Sequence, residues 1–492
     1  MLKTFLTMTC SAVAILAATS QPVAADPISL AVASTVSAVV SAGGIASFTF
    51  LGFAAGWVSI LASVVVRAAL GYALNALARR PKSEDLNRGY RVNNLGPALP
   101  HQIIYGQTRV GGAVFYQTVT GGAQFLHRAI AVAGHEIESY VTLFLNDESV
   151  TLDGSGNVLT PAKYSGYVRI KTHLGSDSQT ADTDMVSEIA EWTTDHRARG
   201  IAYIYVRFNH DGSDEARLLF QNGIPVVTAL VQGKKIYDPR DDTTGYSTNP
   251  ALCVRDYVTS SFGLNESSAD VNDTLFGEAA DVCEEIAPSG YFRYTCNGSF
   301  LLDAAPEDII TALTASMGGL FWFLHGQWAC RAAKFVPPTL ELGDDDLRTN
   351  LQIATKHSRR DNFNTVRGIY RGASTFYQED DYPEVTDSTF VTEDNGEVVA
   401  TQLDLLFTDT SEMAQRIAKL ALRRNRKQIT VTAGYSLKAI DLKIGDTVTI
   451  TNSRAGWTGK LFEVVDWRFG LTDDMDLATN LVLREIDQSV YQ

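Results

Sequence analysis

Val110-Gly-Gly-Ala-Val-Phe-Tyr-Gln-Thr-Val119 decides the fold class of this chain: paired glycines open a short run of β-branched and aromatic residues, which suits a pleated strand better than a helix. The same pattern recurs outward from it. Residues 139–145, 164–171 and 201–208 read as further strands, with Asp153-Gly154 and Asp211-Gly212 as turns. Between them, residues 182–199 are predicted to be helical.

A second unit follows Tyr257. Its centre reads as a strand at 291–296, a turn at Asn297-Gly298, a strand at 299–302, a helix at 306–317 and two strands at 319–325 and 327–332. Asp303 is the expected helix cap, Pro306 suits a first turn, and Ile309, Leu313 and Met317 share one face. A third unit carries strands at 364–370 and 429–433, a helix at 411–424, and alternating runs at 444–450, 459–467 and from Leu481 onward that suit barrel strands. The fold class is therefore β-rich α+β: small β-barrel and βαββ domains behind a hydrophobic helical N-terminal segment. The regions are 1–80, the N-terminal segment; 81–257, with an inserted β subdomain; 258–339, a βαββ unit; and 340–492, barrel-like.

The N-terminal segment is of a different kind. Lys3, an apolar stretch including residues 12–18 and the small residues Val23-Ala24-Ala25 imitate a secretory signal. Residues 27–66 then contain no charged residue, enough for one membrane-spanning helix or two packed ones, with Gly43-Gly44 as the break. Gly52 and Gly56, then Ser59 and Ser63, recur at a spacing that lets helix backbones approach. Three readings stay open: a membrane span behind a signal peptide, a hydrophobic plug inside an assembly, and a buried core hairpin. Pro81 ends any helix running through Ala78, which sets the boundary near residue 81.

The formal charge of −15 is uneven. Residues 1–80 hold Lys3, Arg67, Arg79 and Arg80 against Asp26, a net of +3, which leaves −18 for residues 81–492. Such a body repels a phosphate backbone, so nucleic-acid binding is disfavoured, while a conduit through which DNA slides without sticking is permitted. Five cysteines form no C-x-x-C pair and are expected as buried thiols, with a Cys283 to Cys296 bridge as the alternative.

Several phrases, in order along residues 95–492, carry a resemblance. They are Tyr105-Gly-Gln-Thr-Arg-Val-Gly-Gly112, Gly134-His-Glu-Ile-Glu138, Gly233-Lys-Lys-Ile-Tyr-Asp-Pro-Arg240, Tyr246-Ser-Thr-Asn-Pro-Ala-Leu252, Arg359-Arg-Asp-Asn-Phe-Asn-Thr-Val366 and Leu483-Arg-Glu-Ile-Asp-Gln-Ser-Val-Tyr491. Together they resemble the central tail-tip proteins of lambda-like phages, the host specificity protein J family, and related tail proteins of phages and gene transfer agents. The resemblance implies a non-enzymatic baseplate hub: a homotrimer around the tail axis at the distal tip of a virion, closing the tail tube and organising host attachment and DNA ejection. It implies contact with other tail-tip proteins; the uncharged run 27–66 is expected to pack near the lumen against the tape-measure protein and to reach the host membrane, and the acidic body to let DNA pass without specific binding. Longer members continue into fibre-like and receptor-binding domains beyond the point matching Gln492, which leaves receptor binding outside the expectation. An exported, membrane-anchored β-rich binding protein is the alternative.

No catalytic, cofactor-binding or metal-binding residue is nominated. His135-Glu136 lacks the second histidine that a zinc helix needs, since position 139 is Ser139, and reads as a solvated strand end. Asp344-Asp345-Asp346, Asp380-Asp381, Asp473-Asp474 and Asp476 lack the spacing of a calcium loop and read as solvated turn charges. Gly111-Gly112 and Gly121-Gly122 lack a phosphate-loop lysine and read as tight turns, and no G-x-S-x-G pentapeptide occurs.

Overall fold

A computed structural model of the chain describes residues 91–96, 99–356, 358, 361–471 and 475–492. The whole N-terminal segment, Cys10 and Asp473-Asp474 lie outside the described residues. What is described is β-rich, with small sheets and few helices.

Two sheets face each other in the first part of the chain. One runs in the order Asn93–Leu95, Gly112–Thr120, Phe125–Ala133, Ala202–Asn209, Val168–His173. The other runs Thr243–Tyr246, Val227–Asp238, Ile137–Leu145, Glu148–Leu152, Val158–Thr160, and Gln107–Val110 also pairs with Val227–Asp238. Ile130, Val132, Ile204 and Val206 from the first sheet meet Leu143, Leu145, Ala229 and Val231 from the second in one core. Strand periodicity decides the rest: Tyr203 and Tyr205 point the opposite way from Ile204 and Val206, onto Met185, Ile189 and Trp192. The stretch Ala202-Tyr-Ile-Tyr-Val206 is thus covered on both faces, which explains its unbroken apolar run. Asn93 ties the sheets together, its amide donating to Val227 O at 2.8 Å and its carbonyl oxygen accepting from Val227 N at 2.7 Å.

A second core gathers the helices Pro250–Thr259, Asp273–Glu284, Pro306–Ala315 and Ser411–Arg426 around a two-stranded sheet of Gln102–Tyr105 and Gly298–Leu301. Ser411–Arg426 is capped by Thr410, whose hydroxyl accepts from Met413 N. It buries Met413, Ile417 and Leu420 and ends on the basic Arg423, Arg424 and Arg426. A third core fills the sheet Leu340–Leu342, Thr447–Asn452, Trp457–Leu471, Leu477–Glu485, Thr430–Tyr435, Gln352–Ala354.

Several local expectations change. Among the described residues the third sheet is open, since no pairing joins its edge strands Leu340–Leu342 and Gln352–Ala354, so the barrel expected there does not close. The helix expected at 182–199 is only Thr183–Glu188, capped by Asp182. Ile189 leaves helical geometry so that Met185, Ile189 and Trp192 can all reach the sheet, and Thr193-Thr194-Asp195 are weak helix formers. No strand forms at 291–296, and Asn297-Gly298 is not a turn. Gly298 begins a strand whose partner is Tyr105, and buried Asn297 uses its side-chain oxygen to accept from Gln107 N at 2.7 Å. The order strand, helix, hairpin is present, but its first strand pairs with Gln102–Tyr105 and not with the hairpin Leu320–Leu324/Gln327–Arg331. Asp303 does not cap Pro306–Ala315: the chain turns first at Ala304, and Ala305 takes the cap position without a side-chain bond.

Gly121-Gly122 forms the expected turn, at φ of 59° and 66°. Gly112, by contrast, is a close-packing position, because a Cβ there would fall 2.4 Å from Ala131 O.

Ile204→Ala is expected to lower stability by about 2–5 kcal/mol through the cavity it leaves. Val141→Ala, at a position 48% exposed, should stay within about 0.5 kcal/mol of the parent; denaturant unfolding of both variants checks the contrast.

Candidate functional site

Among the described residues, those singled out in the sequence do not gather into a reactive site. His135 is buried, not solvated: its Nε2 accepts from Ile104 N at 3.0 Å and its Nδ1 donates to Glu136 O at 2.8 Å. Burial holds its pKa down to about 4, so it is a neutral bracket between the strand Gln102–Tyr105 and the Glu136 turn. Asp344 accepts from Ser453 N and Oγ and from Asn452, and Asp346 accepts from Gly343 N and Lys438, so both brace the third sheet. Asp380 and Asp381 are exposed on the short strand Glu379–Asp381. Asp476 is exposed as well. Among the described residues no three histidine, cysteine or acidic side chains are grouped to hold a metal ion. Cys253, Cys283, Cys296 and Cys330 are free and buried, as thiols.

The arrangement that stands out was not nominated from sequence. The long strand Trp457–Leu471 places Glu463 directly opposite Arg484 of Leu477–Glu485, and Arg484 Nη2 donates to Glu463 Oε2 at 2.7 Å. The last turn of Ser411–Arg426 brings Arg424 to the other carboxylate oxygen at 3.5 Å. Arg424 also donates to Tyr491 Oη at 2.9 Å and to Gly318 O at 3.3 Å. Beside them Arg331, at the end of the hairpin, pairs with Asp446 at 2.9 Å. Glu463, Arg424 and Arg484 are 3%, 4% and 7% exposed. Burial alone would raise the Glu463 pKa, but Arg424, Arg484 and Arg331 outweigh it and hold the carboxyl below its ordinary value.

Glu463 and Arg484 of this cluster line a cavity of about 500 Å³. The helix Pro306–Ala315 supplies Ile310, Thr311 and Thr314, the hairpin supplies Leu320, Phe321, Trp322 and Trp328, and Leu264, Ile444 and Val464 complete the apolar wall. Phe321 and Trp328 stack at 5.2 Å between ring centroids. Glu463 and Arg484 are the charged groups at its depth, and Glu307 stands at the exposed rim. The usable sequence signal was a carboxylate inside Leu461-Phe-Glu-Val-Val465, since a charge in a strand covered on both sides must be paired. Its partners lie 39 residues upstream and 21 downstream, which no local pattern reveals.

No family model matches the chain, and no curated protein matches its sequence. Among solved structures, one chain of the virion of a native gene transfer agent particle superposes with a TM-score of 0.59 at 15% identity, over 91% of this chain and 98% of that one. That likeness establishes a shared fold across nearly the full length of both. A tail protein from Neisseria meningitidis MC58 aligns at TM-score 0.32 and 11% identity, over 82% of this chain and 97% of that one. The 43 kDa tail protein of prophage MuSo2 from Shewanella oneidensis aligns at 0.29 and 12%, over 80% and 99%.

Glu463→Gln, which strands two buried guanidinium groups, is expected to cost about 3–5 kcal/mol at neutral pH. Because its folded pKa is depressed, the stability Glu463 contributes is present above the unfolded carboxyl value and lost as pH falls through the folded one. The gap between parent and variant should therefore narrow in acid, as thermal unfolding at stepped pH will show. His135 has the corresponding signature at higher pH: its unfolded form takes up a proton near 6.5 and its folded form only at about 4, so stability declines as pH drops across that interval. His135→Leu should remove that decline while costing about 1–3 kcal/mol at neutral pH, because Ile104 N then has no acceptor.

Proposed function

We propose that this chain is a structural, non-enzymatic component of a phage-like tail, acting as the hub at the distal tip. The observation that carries the reading is two-way coverage: 91% of this chain and 98% of one chain of a gene transfer agent virion superpose with a TM-score of 0.59. A match of that extent reflects a shared whole-chain architecture, not a single widespread module. The ordered phrases from Tyr105 to Tyr491 support the same reading from sequence.

In this proposal residues 81–257, 258–339 and 340–492 are successive regions of the hub, and three copies surround the tail axis. They dock on tail-tube-like partners, and their acidic surfaces line a passage that DNA crosses without binding. Residues 27–66, forty positions without a charge, are sheltered near the lumen against the tape-measure protein and reach the host membrane on ejection.

Epitope-tagged chain in purified particles, imaged by electron microscopy, is expected at the tail end in threefold arrangement; its absence from particles would end the proposal. Deleting residues 1–80 should block assembly or DNA delivery while the body still folds, and full infectivity of such particles would refute the role given to the N-terminal segment. Sequencing the mature N-terminus separates the alternative: cleavage after Ala25 would indicate export, and an intact start the virion.

A further inference from the structure

Two surfaces of this chain complement each other, yet one copy cannot bring them together. The first is the free end of the hairpin Trp457–Leu471/Leu477–Glu485. Among the described residues no strand pairs with it beyond Glu463 on one edge or Thr479 on the other. Leu471 and Leu477 stand directly opposite each other there, with Phe469 on the same face. All three are about half exposed, and Met475 between the strands is 74% exposed. Residues 469–477 also hold three carboxylates and no basic side chain. A grouped apolar surface of this kind, edged by charge, marks an interaction site.

The second surface is a pocket of about 480 Å³ between the helix Ser411–Arg426, residues 287–288 and 293–294, and the turn Gln488–Tyr491. Pro288, Leu420 and Val490 contribute apolar wall. Its charged lining is Arg293, Arg416 and Lys419 against Glu412, a net of +2, or +1 with the terminal carboxylate of Gln492. Arg293 is paired with Glu285 at 2.8 Å. Among the described residues Arg416 and Lys419 have no carboxylate partner: Arg416 donates to Arg293 O at 2.6 Å, and Lys419, one helical turn on, is exposed. This local excess stands in a body bearing −18 over residues 81–492. Tyr491, in the pocket wall, donates to Glu463 Oε1 at 3.4 Å, and eight strand steps, about 26 Å, separate Glu463 from Leu471. The hairpin end of a copy is therefore held at the far end of the strand from that copy's own pocket.

We propose that the hairpin end of one copy docks in this pocket of a second copy. Leu471, Leu477 and Phe469 pack on the apolar walls, and the carboxylates of residues 469–477 face Arg416 and Lys419. The contact is heterologous, since each copy gives a hairpin end and receives another, and contacts of that kind repeat around a closed ring when the rotation between copies permits. An anionic lipid surface would repel the same hairpin end, and a lone inorganic anion would leave the apolar walls uncovered. This goes beyond the threefold arrangement proposed above by naming a contact, and it is argued from the two surfaces alone.

The test is disulfide trapping in the full-length chain, with Leu471→Cys and Lys419→Cys made as separate variants and mixed under mild oxidation. Both positions are exposed, whereas Cys253, Cys283, Cys296 and Cys330 are buried. The mixture should give a reducible covalent pair of the two variants, well above the yield with Val141→Cys, an exposed position elsewhere, in place of Leu471→Cys. Leu477→Cys, directly across the hairpin, serves should Leu471→Cys not fold. Adding Asp476→Lys, or molar salt, should lower the yield several-fold, because the charged part of the contact is lost or screened. A mixed yield no higher than the Val141→Cys control, equal pairing of either variant with itself, or a yield indifferent to both Asp476→Lys and salt would overturn the assignment. So would trapping of Lys419→Cys by another protein alone in assembled particles. Threefold particles without the mixed pair would end this contact and leave the hub reading standing; the mixed pair without threefold particles would do the reverse.

Discussion

The pairing of Gln102–Tyr105 with Gly298–Leu301 is the constraint on which the rest of this architecture hangs. Both strands are buried along their whole length, and closing them brings together residues almost two hundred positions apart. Such closure is entropically unfavourable, though the cost grows only logarithmically with the intervening length. It is offset by what the two strands touch. Ile103, Tyr105 and Phe300 belong to the helical core, Tyr105 and Phe300 pack ring to ring, and Ile104 faces the sandwich core. One short pair of strands therefore has a foot in each core, and the intervening residues fold within the bracket it makes.

Polar groups secure the same junction. Ile104 N reaches His135, Tyr105 Oη donates to Asp256 Oδ2 at 2.7 Å, and Lys234 closes on both oxygens of Asp256. The phrases Gly134-His-Glu and Gly233-Lys-Lys converge here from distant parts of the sequence. Arg240, from the end of the second phrase, holds Asp238, Asp281 and Glu284 and so fixes the strand Val227–Asp238 to the helix Asp273–Glu284. Asn249-Pro250 then starts the next helix with a side-chain cap and a proline at its first position. The surface pairs among these contribute little individually, so the junction depends chiefly on burial and on the bonds within it.

Local structure was legible wherever one strand or helix face announced itself. Residues 139–145 and 201–208 are strands, 411–424 is most of a helix, and the close of the chain is β. Ile309, Leu313 and Met317 are indeed buried together. What sequence did not disclose was partnership. Asn297-Gly298 has turn chemistry, yet a strand far upstream competes for Gly298, and tertiary pairing outweighs the local preference. Residues 182–199 carry apolar side chains at helical spacing, but three of them serve a sheet and need only one and a half helical turns to reach it. The ion cluster was hidden for the same reason, because Arg331, Arg424, Glu463 and Arg484 meet only after four elements have packed.

The strand Val227–Asp238 bears on how this chain can vary. It is hydrogen-bonded to Ile137–Leu145 along much of its length, to Gln107–Val110 at its middle and to Thr243–Tyr246 at its end, with an irregularity between Leu230 and Val231. Adding or removing one residue inside it would invert the facing of every side chain beyond that point, against three neighbours at once. Around Gly212, by contrast, an added side chain would meet open space. Lengthening is therefore channelled to the rims of the sandwich, where new surface can be acquired while its interior stays fixed.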